Sequence, residues 1–393
     1  MGLKRRTGNK TPPIFSHEFV IQNHADIVSC VAMVFVVGLL FQVSAPYASV
    51  FVALHHNLTD GTFQGPETPT VVHYTYGVKD VFLTFFYFLI AIVMHAVIQE
   101  YLLDKLNRKM HLSKVKHSKF NESGQLLIFY LVSLTWGIDI IRREGFLLNI
   151  SRLWEDYPHN EMTFMFKFYF IVQLSYWLHC FPELYFQKTK KDEMSSRICY
   201  ATLYFLFFAA AYVLNFTRIA ICLSVLHYLV ESVFHVSRLL HFADKVKAAS
   251  YGFTLWNALF VFIRLVSITL TVFTFWYGLA QNEMSVPVGI STGNFNTNVV
   301  RMNCIVAMCL LQAWMMWNFV NFHLRRMRER SAARQAAQAK RRVVGPARKE
   351  RKPKKEDLKR QQDEDVSELP EVDQNAKKDQ RARYPASPKV KKA

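Results

Sequence analysis

Four ionisable residues recur at helical spacing inside one apolar stretch of the chain. The segment 219–240 is long enough to cross a bilayer, yet it contains His227, Glu231, His235 and Arg238. Steps of four, four and three residues place these side chains on one face of a helix. A histidine beside a carboxylate can exchange protons, and both residue types can bind a metal. This face is therefore a candidate active site, a candidate binding groove or a packing device.

The composition divides the chain into an apolar part and a basic part. Hydrophobic residues make up 51% of the 393 residues, with 33 Phe and 17 Tyr, yet the formal charge is +18. From residue 323 onward there are 23 Lys and Arg against 11 Asp and Glu, so this end carries most of the net charge. These features predict an all-α polytopic membrane protein followed by a disordered basic C-terminal tail.

Eight apolar segments approach the length that spans a bilayer, about 20 helical residues. The first begins at Ile27 after a basic N-terminus and indicates an uncleaved signal anchor, because its apolar run is too long for a signal peptide. The others cover residues 81–98, 125–141, 162–181, 198–214, 219–240, 253–279 and 302–322. About eight transmembrane helices are predicted, which places both termini on the same side.

The charges of the loops indicate which side that is. The side with both termini holds 40 Lys and Arg in its loops and tail, whereas the opposite side holds six. Positive charge accumulates on the cytosolic side of membrane proteins. Both termini are therefore predicted to be cytosolic, and residues 44–80 and 280–301 form the main external loops.

Other site signals are sparse. The six cysteines lie in or at the ends of predicted spans without CxxC spacing, so neither a disulfide framework nor a metal site is predicted. His95 and His179 are isolated histidines near span ends, which favours interface positions over ligand roles. Among the N-x-S/T sequons, Asn57 is the predicted glycosylation site because it lies in a long external loop, with Asn149 second.

Charged residues in other predicted spans allow two interpretations. Asp139, Lys167 and Arg264 lie at membrane depth together with Glu231. In the first interpretation, Asp139 pairs with Lys167, and Glu231 pairs with Arg264 or with Arg238, and these pairs fix the order of the helices. In the second, the charges line a polar crevice, open to lipid, that lowers the cost of moving polar groups across the bilayer.

The tail also leaves alternatives open. A basic arm beside the last span suits anionic lipid headgroups or ribosomal RNA phosphates, and it is also what a solvated orientation signal would be. Lysines three and five residues from the C-terminus match a dilysine retrieval pattern, which favours the endoplasmic reticulum membrane.

Long runs of the sequence closely resemble the translocating chain-associating membrane protein family. These runs are SHEFVIQNHADIVSCVAM, HAVIQEYLLDK, KHSKFNESGQL, YWLHCFPELYFQKTKK and STGNFN, and the similarity extends over residues 12–330. The resemblance implies an endoplasmic-reticulum protein beside the Sec translocon and a TLC domain over residues 117–326. Residues 1–26 would then be a cytosolic N-terminus, 27–116 the first two spans, and 327–393 the basic tail.

The TLC resemblance bears on the polar face. Ceramide synthases of this superfamily carry two adjacent histidines on one core helix and a His-Asp-x-x-Asp run on the next. At the corresponding positions this chain has Tyr200 and Ala201, then a run from His227 to Glu231. One histidine and one carboxylate remain of that constellation, so no catalytic residue, no metal and no cofactor is predicted.

Two functions of different classes follow. The first is a non-enzymatic accessory of the Sec translocon that contacts signal sequences and nascent transmembrane segments and aids their translocation or lateral insertion. Its expected partners are the translocon, nascent chains, membrane lipids and, through the tail, the ribosome. The alternative is a TLC-type lipid-binding protein or acyltransferase with a degenerate site, in which His227 and Glu231 would exchange protons.

Overall fold

The computed structural model describes residue 13 and residues 16–58, 72–189, 191–281 and 287–343. Within these ranges the chain is a bundle of long helices with very little sheet. The predictions for the tail beyond Val343 lie outside the described residues, as does Thr59 of the Asn57 sequon.

Eleven α-helices and three short strands follow one another along the described chain. The helices are α1 (His17–Gly38), α2 (Ala45–Val52), α3 (Lys79–Val97), α4 (Asp104–Met110), α5 (Lys114–Glu144), α6 (Phe164–Phe186), α7 (Lys191–Val213), α8 (Thr217–Phe242), α9 (Val246–Val272), α10 (Leu279–Gln281) and α11 (Asn298–Val343). The strands are β1 (Asn57–Leu58), β2 (His73–Tyr74) and β3 (Met162–Thr163). A π-helical turn, Ile98–Leu103, joins α3 to α4, and a second, Phe273–Gly278, joins α9 to α10.

All eight segments predicted to span the membrane form helices, with strand β3 at the start of the segment 162–181. Seven of these helices in the described chain are long and apolar enough to cross a bilayer. The remaining one, α6, has 23 residues but is less apolar, because Lys167 and Gln173 interrupt its aromatic sequence. Both side chains are fully buried against neighbouring helices, so α6 is an inner helix that presents polar groups to the protein. The prediction of an all-α membrane bundle is confirmed.

The central helix of the bundle is α8. In the most apolar 18-residue stretch of α8, 72% of the residues are buried, whereas the share is 6% in the corresponding stretches of α1 and α11. It packs along α5 on one side and α9 on the other, while α6 packs against α3 and α7. Gly137 allows the close approach of α5 and α8, since a Cβ there would clash with Val225. The polar face of α8 therefore lies inside the bundle.

The loops at one end of the bundle lock together, and we call this region the cap. Strand β2 pairs antiparallel with both β1 and β3, which joins two loops distant in the sequence. The buried Asn215 donates to the Asn160 side chain at 2.8 Å and to the Gly293 carbonyl at 2.9 Å. Tyr157 donates to the Leu214 carbonyl and accepts from the Phe295 amide. The STGNFN run thus supplies part of the lock.

Two helices depart from the expected loop pattern. The predicted external loop 44–80 contains α2, an apolar helix that packs on α1 and α3, with Phe51 against Phe35 and Phe82. Helix α11 continues for 46 residues, about 69 Å at the helical rise, well past the apolar segment that ends at residue 322. Its final part carries the first basic residues of the tail.

Candidate functional site

The polar face of α8 divides into two environments. His227 is 7% exposed and lines an apolar crevice, whereas His235 and Arg238 are completely enclosed in the bundle. Glu231 lies one turn from His227, with 3.8 Å between its Oε1 and the His227 Nε2. The sequence placed all four residues on one face, and the structure gives them different neighbours.

His227 is the centre of a polar network that crosses three other helices. The Arg264 guanidinium on α9 donates to the His227 Nδ1 at 2.8 Å, and the Tyr204 hydroxyl on α7 contacts the His227 Nε2. Arg264 also donates to the Gln312 Oε1 on α11 at 3.0 Å. The guanidinium lies over the ring of Phe260, 5.0 Å from its centroid. We call His227, Tyr204, Arg264 and Gln312 the crevice network.

The contacts of His227 restrict the chemistry that it can perform. Arginine can only donate, so the His227 Nδ1 must accept and the ring hydrogen must lie on Nε2. A general base needs a nitrogen lone pair directed at the reacting proton. Here the available lone pair is already engaged by Arg264, and Nε2 points to Tyr204. This arrangement positions a side chain and does not present a base.

The other half of the face packs among aromatic rings. The His235 ring stacks on Tyr130 with 5.6 Å between centroids, and neither ring nitrogen has a hydrogen-bond partner in the described part of the chain. The Arg238 guanidinium lies between Phe234 and Phe242, with centroid distances of 5.6 and 5.7 Å. Cation–π contacts of this kind stabilise a buried guanidinium.

The predicted pair of Asp139 and Lys167 is wrong. The Lys167 Nζ lies 2.7 Å from the Asp80 Oδ1 and donates to the carbonyls of His55 and Thr75, both at 2.8 Å. Asp80 directly precedes the predicted second span, 81–98, where a carboxylate at a helix start is commonly solvated. It is instead 5% exposed and also accepts from Tyr212 at 2.9 Å.

Asp139 belongs to the surface of its own helix. Its carboxylate accepts from Arg142 at 3.1 Å and from Arg143 at 2.7 Å, three and four residues further along α5. Both arginines are well exposed. Because helical neighbours supply its partners, Asp139 needs no charge from another helix. Its place near the end of α5 explains why a carboxylate is tolerated there.

The crevice above His227 opens between α7 and α11. Its volume is about 70 Å³, and apart from the crevice network and two serines it is lined mainly by Leu, Met and aromatic side chains. The outer faces of α7 and α11 are largely exposed, including Leu206 and Leu310. In a bilayer these faces would contact lipid, so polar groups would lie at the base of a narrow apolar slot.

A chain of hydroxyl groups leads from the crevice toward the bundle centre. Tyr204 lies 3.2 Å from Tyr200, and Tyr200 lies 3.1 Å from Tyr130, measured between hydroxyl oxygens. Tyr200 occupies the position where the family resemblance expects the first histidine. A phenol in this place donates and accepts hydrogen bonds, so the histidine pair is replaced by a hydrogen-bonded tyrosine. The adjacent Ala201 adds no functional group.

Sequence reasoning missed several residues of this site. Tyr204 and Gln312 are uncharged and gave no signal among the many polar residues of the spans. His95 and His179, predicted to be separate, lie with 3.5 Å between ring nitrogens. His95 also pairs with Glu183, with 3.2 Å between Nε2 and Oε1. Both histidines lie near the C-terminal ends of α3 and α6, two parallel helices whose starts meet at Asp80 and Lys167, and this shared position was the available signal.

The structure shows how the candidate metal ligands are arranged and which sequon asparagines are exposed. Among the described residues, no group of three His, Cys, Asp or Glu side chains is arranged to hold a metal ion. Asn57 and Asn149 are exposed, whereas Asn215 is fully buried in the cap. An oligosaccharide on Asn57 remains a prediction.

In the cap, His159 is enclosed near Arg218. Its Nε2 contacts the Glu155 carbonyl at 2.8 Å, and its side chain is 4% exposed. Burial, assisted by the Arg218 charge, lowers the pKa of His159 to about 3. The cap therefore holds a histidine that is neutral at physiological pH.

The chain is similar to proteins of known families. Residues 119–321 match the TLC domain model of the TRAM, LAG1 and CLN8 family. The chain is 46% identical to "Translocating chain-associated membrane protein 2" of Mus musculus over 329 residues, which is 84% of this chain and 86% of that protein. Its identity to the Homo sapiens protein of the same name is 45% over the same share of this chain.

A more distant similarity reaches an enzyme. The chain is 24% identical to "Sphingosine N-acyltransferase lag1" of Schizosaccharomyces pombe over 230 residues, which is 56% of this chain and 53% of the enzyme.

Proposed function

The chain belongs to the translocating chain-associated membrane protein family, and on this premise we propose that it is a non-enzymatic accessory of the Sec translocon. In this role it contacts signal sequences and nascent transmembrane segments and aids their translocation or their lateral insertion into lipid. It resides in the endoplasmic reticulum membrane with eight spans and both termini in the cytosol. Membership of the family and the multi-pass helical bundle support this assignment.

The crevice network carries the proposal. A charged side chain at the bilayer centre costs about 2.5–3.5 kcal/mol on insertion scales. A nascent segment with a polar flank beside the crevice could exchange hydrogen bonds with Tyr204, Gln312 or Arg264, which lie at the base of an apolar slot. Relief of about 1.4 kcal/mol would change the insertion equilibrium about tenfold. This assistance needs contact and no turnover.

One further feature supports the proposed contact with the ribosome. Beyond its apolar segment, α11 carries Arg325, Arg328, Arg330 and Arg334, all exposed. A rigid basic helix that leaves the membrane can approach ribosomal RNA phosphates, in addition to lipid headgroups. The TLC domain, residues 117–326, would supply the crevice, and the tail would supply the electrostatic contact.

Reconstituted insertion tests the proposal. Proteoliposomes with purified Sec translocon, with and without the full-length protein, would receive ribosome-bound chains that carry a weakly hydrophobic signal sequence. We expect a severalfold gain in the membrane-protected fraction when the protein is present. Arg264→Met removes the donor to His227 and Gln312, and about a threefold or greater loss of that gain is expected. Arg143→Met removes an exposed arginine outside the crevice and is expected to keep the full gain.

The alternative is lipid acyl transfer, which the similarity to the acyltransferase favours. The crevice network argues against it, because the His227 Nδ1 already accepts from Arg264. The acyltransferase function would replace the accessory role if the purified protein consumes acyl-CoA, if His227→Ala abolishes this consumption, and if the protein has no effect on insertion. A wild-type protein that leaves insertion unchanged would also contradict the proposal.

A further inference from the structure

A large cavity with polar and aromatic side chains in its walls lies at the end of the bundle opposite the cap. Its volume is about 730 Å³, and it is bounded by the start of α1, the π-helical turn after α3, the first part of α5, the end of α6 and the start of α7. Ligand sites in proteins commonly have volumes of 300–1,000 Å³. The crevice network is not part of it, but Tyr200 lines both spaces.

The cavity has an excess of carboxylates. Glu100, Asp104, Glu122 and Glu183 line it, whereas Arg197 is the one Lys or Arg side chain in its walls among the residues that the structure describes. Arg197 is already paired, with 2.6 Å between its NH2 and the Glu122 Oε1. The remaining carboxylates favour a ligand that carries a positive charge. Arg197 of α7 can at the same time donate to an anionic group in the cavity.

Glu183 gives a second and independent indication of a ligand. It is 8% exposed, and its Oε1 accepts from Gln187 at 3.0 Å and pairs with His95. Its Oε2 has no hydrogen-bond partner among the residues that the structure describes. A buried carboxylate oxygen without a partner is costly. A cation in the cavity would supply the missing interaction.

Aromatic rings stand beside the carboxylates. Tyr176, Trp177 and Phe186 line the cavity, and Tyr176 is adjacent to His179 with 4.6 Å between ring centroids. Aromatic faces combined with negative charge recognise quaternary ammonium groups. The wall also includes Gln99 and Glu100 of a π-helical turn, a distortion that is frequent at functional sites.

We propose that this cavity binds the ammonium group of a phosphocholine-type headgroup, with the ammonium near Glu183 and the aromatic rings and the phosphate toward Arg197. The opposite charges of the walls favour a zwitterion over a purely anionic or purely cationic group. The same chemistry occurs in a membrane phosphatidylcholine and in free phosphocholine. The proposal is independent of the role in translocation, and its test contains no translocon.

Native mass spectrometry of the full-length protein in detergent measures the site directly. The protein would be titrated with dioleoyl-phosphatidylcholine and, separately, with dioleoyl-phosphatidylglycerol, which lacks an ammonium group. We expect about tenfold tighter binding of the choline lipid. Glu183→Gln keeps the size and the acceptor oxygen but removes the charge, and it should abolish that preference. Glu144→Gln, at the cap end, is the matched control and should retain it.

A second variant guards against loss of folding. Glu100 is exposed at the edge of the cavity, so Glu100→Gln should fold normally and reduce the preference severalfold. If free phosphocholine stabilises the wild type but not Glu183→Gln, the ligand is a soluble headgroup. The proposed recognition of the ammonium group would then still hold. Equal binding of the two lipids by the wild type, or an unchanged preference in both cavity variants, would overturn the proposal.

Discussion

Two buried clusters in this protein hold their cations in different ways. Near the cap, Lys167 is completely enclosed and surrounded by Asp80 and two carbonyl oxygens. At the crevice, Arg264 is equally buried but donates to neutral partners, His227 and Gln312, beside a slot that faces lipid. The first cluster compensates its charge with a carboxylate within hydrogen-bond distance. In the second, the hydrogen-bond acceptors of the cation are neutral, and the nearby Glu231 carboxylate attracts it electrostatically.

The different partners of Lys167 and Arg264 indicate that the two clusters have different roles. A buried ion pair ties together the chain segments that supply its members, here α3, α6 and the loops after α2. A guanidinium held by neutral acceptors can exchange one of them for a polar group of another molecule at low cost. We therefore regard the Lys167 cluster as structural and the crevice network as the part available for contact with a client segment.

The largest expected effect comes from breaking the structural pair. Asp80→Asn leaves the buried Lys167 ammonium without its counter-charge and should lower the free energy of unfolding by about 3–5 kcal/mol. Denaturation by sodium dodecyl sulfate in mixed micelles, followed by circular dichroism, measures this change.

A double variant separates charge from packing at this pair. Asp80→Leu with Lys167→Met removes both charges together, so the double variant should be more stable than Asp80→Leu alone. If the stability lost by the double variant equals the sum of the losses of the two single variants, the two side chains are not coupled.

The fold was largely predictable, and the reason is physical. Apolar runs such as 219–240 must become helices in a bilayer, because every backbone group needs an internal partner. The extra helix α2 and the polar ends of the spans were missed, since hydropathy detects the membrane core and not the helices that continue beyond it. Asp80 was missed for the same reason, because it directly precedes the apolar run.

The candidate site was predictable only in part. The spacing of His227 and Glu231 placed them on one helical face, and the structure agrees. Their partners come from α7, α9 and α11, and pairing between distant helices leaves no periodic signal in one sequence. The large cavity was missed because its members, among them Glu183 and Glu122, lie on separate helices and meet only after the bundle forms.

The cap supplies a prediction of intermediate size. The pKa of His159 is about 3 in the folded protein and about 6.5 in an unfolded chain. Below pH 6.5 the unfolded chain takes up a proton that the folded protein does not, so stability falls on acidification. Between pH 7.5 and pH 5.0 this residue should contribute a loss of about 2 kcal/mol.

His159→Gln provides the comparison for this pH dependence. Glutamine does not titrate, so the variant should show a smaller difference in the free energy of unfolding between the two pH values. The crevice network is unaffected by the substitution, and insertion activity at pH 7.5 should stay close to that of the wild type. Equal pH dependence in the variant and the wild type would show that His159 is accessible to protons in the folded cap.

The smallest expected effect is at Asp139, and it sharpens the comparison most directly. Asp139→Asn makes the same chemical change as Asp80→Asn, in the residue that one interpretation of the sequence predicted to pair with Lys167. Its carboxylate is partly exposed and pairs with the exposed Arg142 and Arg143 of its own helix, so we expect an unchanged unfolding midpoint in the same denaturation experiment. A loss comparable to that of Asp80→Asn would mean that Lys167 depends on both carboxylates. It would also remove the distinction between a surface charge and a buried structural pair on which the assignment of the crevice network rests.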